Sequence, residues 1–174
     1  GTTARSMLRW ALRLAQRGYS VGIVSLPGSG RSAGSDDRSG PASVTAVDAA
    51  LARLAHEPGV DPKRIALWGM QAGAGSALLA AVKHPELAGI VAEDAHYDPW
   101  AAYRALPEAE RAAFLQATGR DSAAWRARSP LAVATRITAP VLVLQSDEVA
   151  APATTAVEAF AALRAEKHLF IETR

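Results

Sequence analysis

The sequence predicts an α/β fold: a parallel, doubly wound sheet in which short strands alternate with helices. Two features carry this reading. Apolar, β-branched runs alternate with amphipathic stretches along most of the 174 residues, a pattern that implies right-handed crossovers and a parallel sheet covered on both faces. One of those runs, at 65–68, passes through a glycine-flanked turn, Gly69-Met70-Gln71-Ala72-Gly73, into a helix. The alternation lapses once, between Asp94 and Thr138, where helical patterns follow one another as an insertion at the strand-end side of the sheet.

The elements follow in order. Met7, Leu8, Ala11, Leu14 and Ala15 are spaced three and four apart, which predicts a helix over 4–17 with one buried face. Gly18 stops it. Residues 19–26, with Val21, Ile23 and Val24, read as a strand closed by Pro27-Gly28. The Gly-, Ser-, Asp- and Pro-rich stretch 28–42 reads as loop. A second amphipathic helix over 43–56 carries Val44, Val47, Leu51 and Leu54 on one stripe, and Asp61-Pro62 turns the chain into the strand 65–68. Residues 76–83 read as helix, ending at His84-Pro85, and 89–93 as the third strand. Within the insertion, spanning 95–138, helices are expected over 106–118 and 122–127. Residues 141–144 form a fourth expected strand, 154–165 a helix and 169–171 a fifth strand.

Composition narrows the function classes. Hydrophobic residues make up 49% and charged residues 21%, as in a folded domain with its own core. The length suits one domain over 1–174. No apolar run is long enough for a membrane span, so no membrane partner is expected. The formal charge of +2 comes without the basic stripe a nucleic-acid surface needs, so no nucleic-acid partner is expected either. There are no cysteines, which excludes disulfides and thiolate metal sites and is compatible with a reducing cytoplasm. The four histidines show no metal-ligand spacing. No metal and no cofactor is expected.

Ligands of open parallel sheets bind beyond the carboxyl ends of the strands. The residues of interest are therefore 27–32, the turn around Gln71, Asp94 to His96, and Gln145 to Glu148. Together these segments resemble the α/β-hydrolases and, within them, the prolyl oligopeptidase-like serine peptidases and related acyl esterases. The resemblance rests on an ordered set: Arg17-Gly18-Tyr19-Ser20-Val21, Pro27-Gly28-Ser29-Gly30-Arg31-Ser32, Val60-Asp61-Pro62-Lys63-Arg64 with Ile65-Ala66-Leu67-Trp68-Gly69, His84-Pro85-Glu86-Leu87, Trp125-Arg126-Ala127-Arg128-Ser129-Pro130, and Ile137-Thr138-Ala139-Pro140-Val141.

The resemblance implies ester or amide hydrolysis by acyl transfer, with a small acyl ester or a peptide as ligand. The turn has the frame of the G-x-S-x-G nucleophile elbow, and the serine position is Gln71. A carboxamide cannot be activated as an attacking oxygen, so this chain is expected not to hydrolyse by that route. The resemblance further implies that the N–H of Ala72 is an oxyanion donor and that the acid is Asp147 or Glu148. The implied histidine would follow the last strand, and Arg174 comes first. Gly1 sits where the family's oxyanion segment ends, so the first strands of the sheet are expected to be missing. The open strand edges that result favour association into homo-oligomers. Two other readings stay open: a non-catalytic binding module that keeps the pocket, and an altered piece of an active serine hydrolase.

Further residues carry both a functional and a plain structural reading. Ser76 could attack, but inside a helix its hydroxyl would bond a carbonyl four residues back. His96 could stand in for the missing histidine or simply be solvated, and Asp94 could be an alternative acid. Residues 28–34 loosely suggest a dinucleotide loop, but a phosphate cradle should open straight into a helix. Trp100, Tyr103, Phe114 and Trp125 could line an acyl pocket or form the insertion's own core.

Overall fold

Four strands pair in chain order, β1-β2-β3-β4, and every pairing is parallel. They are β1 (Ala66–Met70), β2 (Gly89–Glu93), β3 (Val141–Ser146) and β4 (Lys167–Glu172). The computed structural model describes residues 4–146 and 153–172. Parallel neighbours need crossovers, and helices supply them. Helix α3 (Ala72–Ala81) joins β1 to β2, and α8 (Ala153–Ala162) lies between β3 and β4. Helices α4 (Pro99–Ala105), α5 (Glu108–Thr118), α6 (Ser122–Arg126) and α7 (Pro130–Val133) lie between β2 and β3. Ahead of β1 come α1 (Ala4–Ala15) and α2 (Pro41–Ala55). No helix among the described residues is long and apolar enough to cross a membrane.

The core lies on one face of the sheet. Ile90 and Ala92 of β2 and Val141 and Val143 of β3 are buried there, under α3, α7 and α8. From Ala74 to Ala81 every residue of α3 is buried, because a helix of alanine, glycine and serine with two leucines can lie flat on the strands. Gly69 makes that approach possible: a Cβ there would run into the backbone of Gly73 and Ala74.

Two expectations need correcting. Among the described residues the second face of the sheet is only partly covered. On the second face Val91, Leu142 and Leu144 are only half-buried and Phe170 is exposed, and the described contact there is Trp10 of α1 against Trp68, edge-on at 5.9 Å. Residues 19–26 form no strand either. They are extended and β-branched, but a strand also needs a partner for its peptide groups, and among the described residues none pairs with them.

Smaller differences have local causes. Helix α3 begins at Ala72 and not near 76, since packing on Gly69 outweighs the poor helix propensity of Gly73 and Gly75. Helices α4 and α7 were unforeseen. They are short, of seven and four residues, with proline in the first turn, and each begins at a capping side chain. Asp98 accepts from the N–H groups of Trp100 and Ala101, and Ser129 accepts from that of Ala132.

Candidate active site

Gln71 sits between the last residue of β1 and the first of α3, with φ 51° and ψ −116°. That backbone conformation is costly for a residue with a Cβ, of order 1–3 kcal/mol. Its surroundings fix it from both sides. The Gln71 N–H donates to Glu93 O on β2 at 2.8 Å, and Gln71 O accepts from Gly75 N at 3.1 Å within α3. The side chain is exposed at the rim where the strands end. The N–H groups of the first turn of α3, Ala72 included, have no acceptor within the helix.

Strain gathers around this turn. Among the described residues the non-glycine positions with positive φ are Arg38, Ser39, Gln71 and Asp94. Ser39 is buried and donates its hydroxyl to Ala72 O at 2.8 Å. Its Oγ stands 2.9 Å from where a Cβ on Gly75 would be, so Gly75 makes room for the Ser39 loop. Arg38 pairs with Asp36 at 3.4 Å and lies over the Phe114 ring at 5.9 Å. The loop itself is pinned by Asp37, whose carboxylate accepts from the N–H groups of Ala42 and Ser43 at the start of α2 and from the Ser43 hydroxyl. Arg128 donates to Asp37 O at 2.9 Å and ties in the helices that follow β2.

Asp94 follows β2 directly. Its N–H donates to Leu144 O at 2.8 Å, and its Oδ1 accepts from the N–H of Ser146 at 2.7 Å and its hydroxyl at 3.0 Å. The carboxylate therefore fastens the ends of β2 and β3 together. His96 is not a solvated loop histidine: its Nδ1 is buried and unpartnered. Burial pushes the imidazole below its ordinary value, the Arg38 guanidinium adds to this, and Asp94 opposes it. Next to it Tyr97 is fully buried, and burial and then Asp94 push its phenol upward.

The remaining expectations resolve as follows. Ser76 is buried within α3 and donates to Ala72 O at 2.8 Å. The 28–34 segment does not open into a helix, since α2 starts only at Pro41. Trp100, Tyr103, Phe114 and Trp125 pack on one another, with ring centroids 5.4 to 5.7 Å apart. Phe114 and Trp125 are buried. They form the core of the helices between β2 and β3, and Phe114 also reaches the rim of the cleft described next. Asp147 and Glu148 lie outside the described residues. Among those described, no three histidine, aspartate or glutamate side chains converge as a metal site would require.

A cleft of about 1060 Å³ reaches this site, with Arg38, Gln71, Ala72, His96 and Arg128 among the residues that line it. Sequence reasoning found Gln71, Ala72 and His96. It missed Arg38 and Ser39, which a sequence shows only as part of a polar loop.

Known structures resemble this chain in fold. The chain is similar to a puromycin-hydrolyzing peptidase of Mycobacterium tuberculosis, with 23% identity, a TM-score of 0.67, and coverage of 79% of this chain and 22% of that one. An acylaminoacyl peptidase of Pyrococcus horikoshii matches with 19% identity and a TM-score of 0.69, over 79% of this chain and 24% of its own. Acetyl xylan esterase 1 from Thermoanaerobacterium sp. JW/SL YS485 matches with 17% identity and a TM-score of 0.64, over 94% of this chain and 62% of its own. These likenesses show the α/β-hydrolase fold. The chain thus spans less than a quarter of the length of the two peptidase chains. No curated protein matches the sequence. The family model for X-Pro dipeptidyl-peptidases of the S15 family matches residues 2–114. This stretch holds β1, the Gln71 turn, α3 and β2, and it covers well over half of the chain. The chain belongs to the X-Pro dipeptidyl-peptidase (S15) family.

Proposed function

We propose that this chain carries the acyl-transfer framework of a serine peptidase or esterase with Gln71 at the nucleophile position, and that it does not hydrolyse esters or amides by the serine route. The observation that carries this is the backbone of Gln71, strained at φ 51° and ψ −116° at the strand-to-helix turn. A nucleophile needs that geometry, and a carboxamide gains nothing chemical from it. The N–H of Ala72 serves as an oxyanion-type donor, and the acid is Asp147 or Glu148, which follow β3 in sequence. The helices within 95–138 act as a cap over the cleft mouth. The ligand is a small acyl ester or a peptide, held without turnover.

Release of p-nitrophenol from p-nitrophenyl acetate tests this. The expected rate is no more than binding and an oxyanion donor supply, at most about 10³–10⁴-fold over water. A rate at the level of active esterases contradicts the proposal. A second reading, an altered piece of an active hydrolase, is favoured by the small share of the peptidase structures that the chain spans. On that reading Gln71→Ser, made in a polypeptide of the peptidases' full length, restores esterase activity. An inert Gln71→Ser variant that is folded rules it out.

A further inference from the structure

We propose that the Gln71 turn, the Ser39 loop and His96 together hold an ionised carboxyl group, that of a small apolar acid or of a peptide's C-terminus. This rests on the reading above that the site holds a ligand without attacking it, and it narrows that ligand's chemistry. The three segments meet around Gly75. A Cβ there would stand 2.9 Å from Ser39 Oγ and 3.9 Å from His96 O, and the Arg38 guanidinium is near enough to His96 to oppose its protonation. Arg38, Gln71, Ala72, His96 and Arg128 all line the cleft. What they present is donors. The Gln71 carboxamide is exposed and caps nothing in α3, so its two N–H groups can turn to a ligand. The Ala72 N–H has no acceptor within its helix. His96 Nδ1 is buried without a partner, while Nε2 stays accessible. A buried N–H without an acceptor is the costlier orphan, so the ring proton belongs on Nε2, where it faces the ligand.

The acceptors nearby are already occupied. Asp37 gives its carboxylate to the N–H groups of Ala42 and Ser43 and to the Ser43 hydroxyl. Asp94 Oδ1 takes the Ser146 N–H and hydroxyl. Asp36 meets Arg38 at Nε, but at 3.4 Å, longer than a charge-assisted hydrogen bond. Arg128 is fixed through Nε and Nη1 by the carbonyls of Asp37 and Ala124, which position its charge without cancelling it. Over the whole cleft four arginines stand against two aspartates, Asp36 and Asp61. A neutral ester or amide carbonyl would leave that surplus unmatched. A carboxylate brings the charge and enough lone pairs for a guanidinium fork and further N–H groups. Leu106 and Phe114 line the same cleft. They offer apolar surface that an acid's hydrocarbon tail can cover and an inorganic anion cannot.

Nuclear magnetic resonance titration of the isotope-labelled chain tests this, read at the Ala72 N–H and the Gln71 side-chain amide. The probes are phenylacetate and N-acetylphenylalanine, each against its neutral amide. Each acid should shift both resonances to saturation and bind about tenfold or more tightly than its amide, the margin of a half-exposed charged contact. The tighter acid tells a small acid from a peptide C-terminus. Amides that bind as well as the acids overturn the proposal, and so do acids that shift neither resonance. Inorganic phosphate binding there as tightly also overturns it, in favour of a general anion site. Arg38→Met keeps a stem beside Phe114, and Gln71→Glu adds a negative charge at the turn. Each should weaken the acids about tenfold and leave the amides alone. Acids unaffected by both variants overturn the proposal. So does an equal loss in Arg53→Met, on α2 and paired with Glu57, which would mark a mere effect of overall charge. Failure here leaves the absence of hydrolysis standing, because p-nitrophenol release reads that separately.

Discussion

The two sides of β1 are held very differently. Toward β2 and α3 its residues are paired and packed, with Gly69 against the backbone of Gly73 and Leu78 fully buried beyond it. Toward α1 and residues 19–26 its edge is open, and Trp68 is 38% exposed beside Trp10. The Gln71 turn joins these regions, yet all its described hydrogen bonds go to β2, α3 or the Ser39 loop. The strained turn is thus supported from the packed side alone. The open side contributes the cleft.

The contrast is sharpest in the core. Leu78→Ala should destabilise the protein by roughly 2–5 kcal/mol, since a tightly packed site cannot collapse around the space left. Val24→Ala, on the exposed 19–26 segment, should stay within about 0.5 kcal/mol. Chemical denaturation of the two variants gives the comparison directly. Equal losses would mean that the open side is packed in solution.

A smaller effect of opposite sign is expected at the turn. Gln71→Gly removes the Cβ from a left-handed position, and the protein should gain about 1 kcal/mol, part of the strain relief being offset by glycine's larger unfolded-state entropy. A loss on thermal unfolding would show that the carboxamide makes a contact worth more than the strain.

The smallest effect is a pH dependence. In the fold, burial and then Arg38 make His96 harder to protonate, whereas in the unfolded chain it takes a proton near its ordinary value of about 6.5. Below that value the unfolded state binds the extra proton, so this contribution is complete above about pH 6.5 and falls away on acidification. His96→Gln should flatten the drop in unfolding midpoint between about pH 7 and pH 5.5. An unchanged slope would place the titrating group elsewhere.

Much of this site was legible in the sequence because its steric demands are local. Gly69, Gly73 and Gly75 mark where α3 meets β1 and where the Ser39 loop enters, and a glycine between bulkier neighbours is visible without coordinates. The strand runs of β1, β2 and β3 were equally plain, since buried parallel strands are continuously apolar. What could not be read depends on partners distant in sequence. Residues 19–26 have strand composition, but among the described residues nothing pairs with their peptide groups. Ser39 reaches Ala72 O at the turn from a loop that Asp37 and Arg128 hold in place. The burial of His96 Nδ1 depends on packing by residues distant in sequence, and nothing at His96 itself signals that.

Intact-mass measurement after treatment with a fluorophosphonate ester tests the central claim most directly. That reagent phosphonylates an activated serine whatever the substrate preference of the site. With Gln71 where the attacking hydroxyl belongs, the mass should remain that of the untreated chain. A stoichiometric phosphonyl adduct, mapped to any residue, would contradict the account.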